Sequence, residues 1–518
     1  MIQKSLLFLA LTLTFVGYLE AQVTLDEHFG DQGIVVTPNT MSIDKTITTT
    51  DNKIISFGNF KPGTSSYKTV VAKYNEDGSL DTSFGDNGIR YDTDTESISS
   101  YVIAIDTLPD GSILVGGYYH YNYVDIGGVF YSVDSAFITK YKGNGSLDTS
   151  FDNTGISKYS FGSRSANVNA IVATNDNMVV GFNGDENSSG VVMLNADGSI
   201  DHSWANNGFI HFQKEKLLLY GIAPGTDGTF FCYGSNFKGL NSFGESYGDI
   251  VVMKFLSNGD PDNNFGNNGL FVIDQADQTK SQEFCTKLEL TSNGGFILGG
   301  YSFLGYQMLV KVNANGTPDS SFADNGILDH EYAYADFTIL DNQHIIIGGS
   351  KSLGSFNYGF SITQFTPGGR LDSSFNNQGF FDIDISDNHD YLQAITVQNN
   401  GKIVLSGSAK LINNEATFTL VRVENTSSSV LTLPSSGFEF DIHPNPSSGI
   451  FNLDCFTTSH GVIEVTVMDL SGKNVYHHNS MISGNYKHEI NLDHVASGIY
   501  FLQLELNGKK EIFKLSKQ

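Results

Sequence analysis

Two short runs concentrate the residue types that do chemistry. DIDISDNHD carries Asp382, Asp384, Asp387, His389 and Asp390, and LDHEYAYAD carries Asp329, His330 and Glu331. Carboxylates two residues apart fall on one face of a strand. Asp382 and Asp384, with Asp387 beyond them, therefore form the candidate set for a metal ion or a carbohydrate hydroxyl. The plainer reading of such a run is a solvated strand end. A third source of carboxylates is LDTSFGDNGI from Leu80, whose acids suit calcium in composition. Near copies of it return along the chain, however, and a catalytic centre needs one set of groups rather than seven. No GxSxG elbow, HExxH pair, GxxxxGK[ST] loop or GxGxxG turn occurs, so no cofactor is expected and no catalytic residue is assigned.

The elements that position these residues can be read from the copies. They are LDEHFGDQGI, LDTSFGDNGI, LDTSFDNTGI, IDHSWANNGF, PDNNFGNNGL, PDSSFADNGI and LDSSFNNQGF, centred on Phe29, Phe84, Phe151, Trp204, Phe265, Phe322 and Phe375. Their spacings run from 53 to 67 residues, the period of a solenoid, propeller or array. Each period holds an apolar run after a turn (DGSILVGGY at Asp110) and another before the signature (FITKYKGNGSLD at Phe137). With one strand ahead of the turn and one behind the signature, each unit is a four-stranded meander. In the signature, Asp81 and its equivalents accept backbone N–H bonds, Phe84 and its equivalents plug against the neighbouring unit, and Gly88 and its equivalents take positive φ.

The first signature opens at Leu25, and strands after Leu371 lack an eighth. The N-terminal strand therefore completes the last unit, which closes a seven-bladed, all-β propeller over residues 22–425 and leaves no open sheet edge. The pattern of DGKIxxxG, a strand with a basic residue, and GSLDxSFGxNG resembles the delta-60 repeat of bacterial secreted proteins. That resemblance implies a propeller-like fold and says little about ligand.

The ends and the composition bound the setting. MIQKSLLFLALTLTFVGYLEAQ reads as a signal peptide over residues 1–21. No other stretch is apolar enough to span a bilayer, so no transmembrane segment is expected in the mature chain. A net charge of −27, from 29 basic and 56 acidic residues, repels phosphate backbones and excludes nucleic acid as a partner. Cys232, Cys285 and Cys455 are too few for a disulfide framework, and Cys232 and Cys285 are either bridged or two small buried residues.

Residues 426–437 form a Ser/Thr-rich linker, and residues 438–518 alternate as a small β-sandwich. The tail is similar to the type A C-terminal sorting domain of type IX secretion cargo from Bacteroidetes. Pro444, Asn445, Pro446 and Gly449 of PNPSSG, Gly472 of MDLSGK, and Gly498 and Tyr500 of SGIY carry the resemblance. It implies recognition by the secretion machinery and a protein released or held at the outer cell surface.

Loop parity locates the remaining candidates. Connections one and three of each meander share one end of the ring and are uniform; connections two and four share the other and vary. The variable end collects Tyr119, Tyr121, Tyr123, Phe237, Tyr247, Tyr306 and Tyr358, aromatic residues of the kind that recognise glycans and proteins. The expectation is a secreted, non-catalytic binding or structural scaffold for a glycan or surface protein. The competing expectation is an extracellular polysaccharide lyase or hydrolase with its site at the axis. Non-repeated acids and His converging on the channel favour the enzyme.

Overall fold

The computed structural model describes residues 22–517 except 38–41, 61–65, 93–96, 125–129, 162, 164, 175–176, 186–187, 213–216, 241–245, 274–282, 303–306, 331–333, 355–356, 387–388, 411–415, 427–437, 444–446, 448, 470–472 and 507–508. The chain divides into two compact units, Met1–Ser427 and Ser428–Gln518, both built of antiparallel strands.

Each repeat of the first unit folds as one sheet. Ser99–Thr107, Ile113–Val124, Phe130–Tyr141 and Ile156–Tyr159 pair in succession. In the second strand Ile113, Leu114 and Val115 are all buried, because both faces of the sheet are covered by neighbouring sheets. The turn before it closes through Leu108 N–H to Ser112 O at 2.9 Å, with Gly111 at φ +81° where a side chain is disfavoured. Five further sheets repeat this order. One more joins the two ends of the unit: Ala416–Thr426 pairs with Ile403–Lys410 on one side and with both Gln22–Leu25 and Ile34–Thr37 on the other. The first strands pack side by side in a cycle, Ser42–Thr48, Ser99–Thr107, Ala166–Ala173, Leu217–Pro224, Glu283–Leu290, Asp336–Ile339, Tyr391–Val397 and back to Ser42–Thr48. Repeated four-stranded sheets in this arrangement are those of a propeller.

The signature is a connector. Its Asp accepts the N–H two residues on in all seven copies, as in Ser83 N–H to Asp81 Oδ1 at 3.1 Å and His28 N–H to Asp26 Oδ1 at 3.0 Å. The other carboxylate oxygen meets a base from a strand: Lys73 for Asp81, joined there by Lys53 from a turn, Lys140 for Asp148, Lys254 for Asp262 and Lys311 for Asp319. Each aromatic is buried, and six of the seven lie against a turn glycine of the next repeat, as Phe84 does against Gly145. Gly85 N–H then donates to Asn144 O at 2.9 Å, tying one repeat to the next. Gly88 has φ +97°, and a Cβ there meets the Leu80 Cβ at 2.7 Å. Because Phe84 fills the joint between two sheets, Phe84→Ala is expected to destabilise the protein by about 3–5 kcal/mol. A urea titration within about 1 kcal/mol of wild type, the range of ordinary surface changes, contradicts that packing role.

In the second unit, Phe438–His443, Ile450–Met468, Gly498–Leu506 and Lys509–Lys517 form a sheet, and Asn474–Asn491 pairs along Ile450–Met468. The register breaks between Thr457 and Gly461, so the long pair has two halves. Phe451 and Leu453 of one half, and Ile463, Val465 and Val467 of the other, share a single core with Leu502, Leu504 and Leu515.

Candidate functional site

In six of the seven first strands, all but Asp336–Ile339 among the described residues, a β-bulge breaks the alternation. Asp44, Ile103, Asn169, Tyr220, Thr286 and Gln393 are the unpaired residues where the register shifts. A bulge re-aims side chains and increases twist. Two residues before it stand Tyr101, Leu218, Phe284 and Tyr391 at equivalent positions. Tyr101 pairs with Tyr118 and Phe284 with Tyr301, their rings stacked at 5.1 and 5.2 Å. Tyr67 joins the first pair at 6.1 Å and Tyr220 the second at 6.3 Å. Tyr391 lies 6.4 Å from Tyr358, and His389 is 5.4 and 6.0 Å from the two rings. Tyr301 and Tyr391 are 39% exposed, Tyr358 38% and Leu218 49%, so the aromatic surface is open to solvent. It lies at the end of the sheets opposite the signatures, since Ile113, beside the uniform turn, pairs with Thr107 and Tyr141.

From the bulges towards the uniform end, a cavity of about 640 Å³ runs between the first strands. Its charged lining is Asp44, Lys45, Lys287, Glu289 and Asp336. Most of these groups serve the backbone. A first strand is a sheet edge, and its N–H groups need partners. Glu289 accepts from Ile339 N–H at 2.9 Å and from Thr338 Oγ1, and Asp336 accepts from Ile395 N–H at 2.9 Å and its neighbour Phe337 N–H. Asp106 does the same for Ala173 N–H at 2.8 Å. Lys287 Nζ donates to Phe337 O at 2.6 Å and faces Asp336 Oδ1 at 3.3 Å. Burial holds the Glu289 carboxyl above its usual range, against the pull of Lys287. Asp44 is pushed up to about 6 by burial, with Lys45 pulling the other way, and it accepts from Asn59 Nδ2 at 2.6 Å. Acids do converge on the axis, then, and lysines with them, but no His is among the lining residues described.

The residues singled out in the sequence fare unevenly. Tyr119 is 1% exposed, a correction to its placement on a loop: Tyr118–Val124 belongs to a long strand, where β-favouring tyrosines extend the hairpin. Its ring stacks on Phe137 at 4.2 Å. Tyr121 accepts from Lys158 Nζ at 2.9 Å and packs against the same core. Tyr123 and Tyr247 lie in strands, their side chains outside the described residues, and Tyr306 lies outside them altogether. Phe237 is 41% exposed. Tyr358 belongs to the aromatic surface. Tyr101, Tyr301 and Tyr391 were missed; a comparison of equivalent positions across the repeats finds them.

The acidic runs are engaged locally. Asp382 pairs with Lys351 Nζ at 2.7 Å and accepts from Ser361 Oγ, and Asp384 accepts from Asn357 Nδ2. Asp390 is buried and accepts from Ile385 N–H, Ser386 N–H and Ser386 Oγ, stapling its own loop. Asp387 and Glu331 lie outside the described residues; Asp329 is exposed and His330 buried, on opposite faces of one strand. Cys232 and Cys285 are free, buried thiols.

In the tail, the sorting-motif residues that are described come together. Ser447 N–H donates to Ser516 O at 3.0 Å, Leu492 N–H to Gly449 O at 2.7 Å, Tyr500 OH to Ala496 O at 2.6 Å, and Lys517 Nζ to Val495 O at 2.5 Å. Gly498 opens the strand that carries Tyr500, whereas Pro444, Asn445, Pro446 and Gly472 lie outside the described residues.

Comparison with known families agrees with this division. Residues 441–518 match the secretion system C-terminal sorting domain, and residues 49–84 match a β-propeller domain of unknown function, DUF5122. The sorting domain is that of type IX secretion, so the protein is exported, to the medium or the outer cell surface. No curated protein matches the chain. Solved structures with some likeness include AofleA of Arthrobotrys oligospora (8% identity, 90% of this chain and 96% of that one, TM-score 0.28). A glycoside hydrolase family 43 arabinoxylan arabinofuranohydrolase from Bacillus subtilis matches at 10% identity over 80% and 93%, TM-score 0.24. A neuraminidase-like protein from A/little yellow-shouldered bat/Guatemala matches at 10% identity over 76% and 99%, TM-score 0.33. Likenesses at this level carry no argument about function.

Proposed function

We propose that the first unit is a seven-bladed propeller, closed by its N-terminal strands, that acts as a non-catalytic recognition scaffold for a glycan or surface protein, and that the second is a sandwich-like sorting tail. Seven sheets in cyclic contact support the blade count. The single core shared by both halves of the long strand pair supports the sandwich. The observation that carries the recognition reading is the set of stacked aromatic pairs Tyr101–Tyr118 and Phe284–Tyr301, with Tyr358–Tyr391, at one end of the sheets, of which Tyr301, Tyr358 and Tyr391 are exposed to solvent. Flat rings that are partly packed and partly exposed suit sugar rings and protein side chains. Of the axial acids, Glu289 and Asp336 hold neighbouring backbone in place, which weighs against an acid–base pair at the axis.

The test is the double variant Tyr301→Ala, Tyr391→Ala. Affinity for a bound polysaccharide is expected to fall at least about tenfold, the level at which interface truncations are felt, with little change in melting temperature. Unchanged affinity in a folded variant removes the aromatic end as the site. The metal candidates Asp382, Asp384 and Asp387 are left without a proposed role.

A further inference from the structure

The cavity between the first strands holds one charge that the fold does not use. The signature lysines meet acids, Lys287 faces Asp336, and Lys402 bridges Asp26 and Glu424 at 2.8 and 2.7 Å. Lys45 has no hydrogen-bond or ion-pair partner among the described residues, although it lines the cavity from a first strand, one residue beyond the bulge at Asp44. Its side chain is exposed to water, and so is that of Gln393, within the cavity wall formed by the first strands. Desolvation by the surrounding strands lowers its proton affinity, while Asp336 and Asp44 raise it and Lys287 lowers it. An ammonium in such a place gains from a counter-charge supplied by a ligand.

Its surroundings indicate which ligand. The adjoining first strand, Tyr391–Val397, touches Ser42–Thr48 through Thr48 Oγ1 to Val397 O at 3.0 Å. That strand contributes Gln393, the residue at its own bulge, which also lines the cavity and whose amide makes no hydrogen bond among the described residues. An unused ammonium, an unused amide and the Asp44 carboxylate thus sit on two neighbouring strands. Together they match a molecule with one carboxylate and several hydroxyls, and the volume suits a single sugar unit with water. We propose that this cavity binds an acidic sugar, with Lys45 meeting its carboxylate and Gln393 and Asp44 its hydroxyls. The proposal rests on the recognition reading but places a second subsite in the channel, apart from the aromatic surface.

The titratable groups that line the cavity with Lys45 are Asp44 on its own strand, Lys287 and Glu289 on Glu283–Leu290, Asp336 on the next first strand, and the Tyr233 hydroxyl, which burial keeps neutral. With Asp44 at about 6, its charge is present at pH 7 and repels the carboxylate of a ligand beside Lys45. Protonating it at pH 5 removes that repulsion, so affinity for an ionised sugar acid rises on acidification.

Calorimetric titration of the mature full-length chain with glucuronate and with glucose tests this. Wild type is expected to prefer glucuronate at least about tenfold, more strongly at pH 5 than at pH 7. Lys45→Met should abolish the preference at an unchanged melting temperature, and Lys45→Arg should restore most of it. Tyr391→Ala should leave it intact, so loss of polysaccharide binding in the aromatic variants and loss of this preference are separate results. Equal binding of the two sugars by wild type, absence of glucuronate binding, or a preference that survives in Lys45→Met overturns the proposal.

Discussion

A chain lacking residues 22–37 is expected to aggregate or to melt far below the parent. Those residues supply both strands that cover one side of Ala416–Thr426, and their loss leaves an eleven-residue strand as an open edge. The deletion also removes Val23 and Phe29, both buried, and Asp26. Asp26 is 1% exposed and meets Arg422, itself 3% exposed, at 2.6 Å across 396 residues of sequence. Arg422 also donates to Gln398 Oε1 and Glu76 O and lies 4.5 Å over the Phe29 ring. The point variant Asp26→Ala strands that guanidinium in the interior, at a cost of about 3–5 kcal/mol. Burial alone raises the Asp26 carboxyl; hydrogen bonds from Lys402, His28 N–H and Arg422 outweigh it and bring it down to about 2. Its folded value is thus depressed, so its contribution is complete above about pH 4 and is lost as pH falls towards 2. Denaturant titrations from pH 5 to pH 2 check this: Asp26→Ala should flatten the acid limb. A truncated protein as stable and monomeric as the parent contradicts closure through the N-terminal strands.

Deleting the residues after Ser436 should abolish delivery to the surface while the first unit remains folded. The two units have separate cores, and the sorting signature is contained in the second. The retained protein should accumulate inside the outer membrane with the melting transition of the parent's first unit. Surface delivery at normal levels contradicts the assignment of export to the tail.

Much of the architecture was legible because a repeated joint has repeated chemical needs. Asp81, Phe84 and Gly88 each answer one: a carboxylate for a turn N–H, a ring for the gap between sheets, and a backbone with positive φ. The lysines that meet those acids recur with them, and Met193 and Gln364 stand where the base is absent. The aromatic surface was less legible. Bulges at Ile103, Thr286 and Gln393 break the two-residue alternation, so counting faces along the strand puts the residues beyond each bulge on the wrong side. Tyr119 looked like a loop residue because the hairpin from Ile113 to Tyr141 extends well beyond the usual strand length. Lys45 carries no motif at all; its isolation becomes visible only when six strands from distant parts of the chain surround it.

In the function proposed here, the exported propeller binds its ligand without turning it over. The most direct measurement incubates the mature full-length protein with a panel of polysaccharides and monitors, in the same samples, retention of the protein and the appearance of reducing ends or unsaturated products. Retention by at least one polysaccharide with no new ends is the predicted result. Accumulation of cleaved products that scales with protein concentration, and is lost on replacing Asp44 or Glu289, contradicts it.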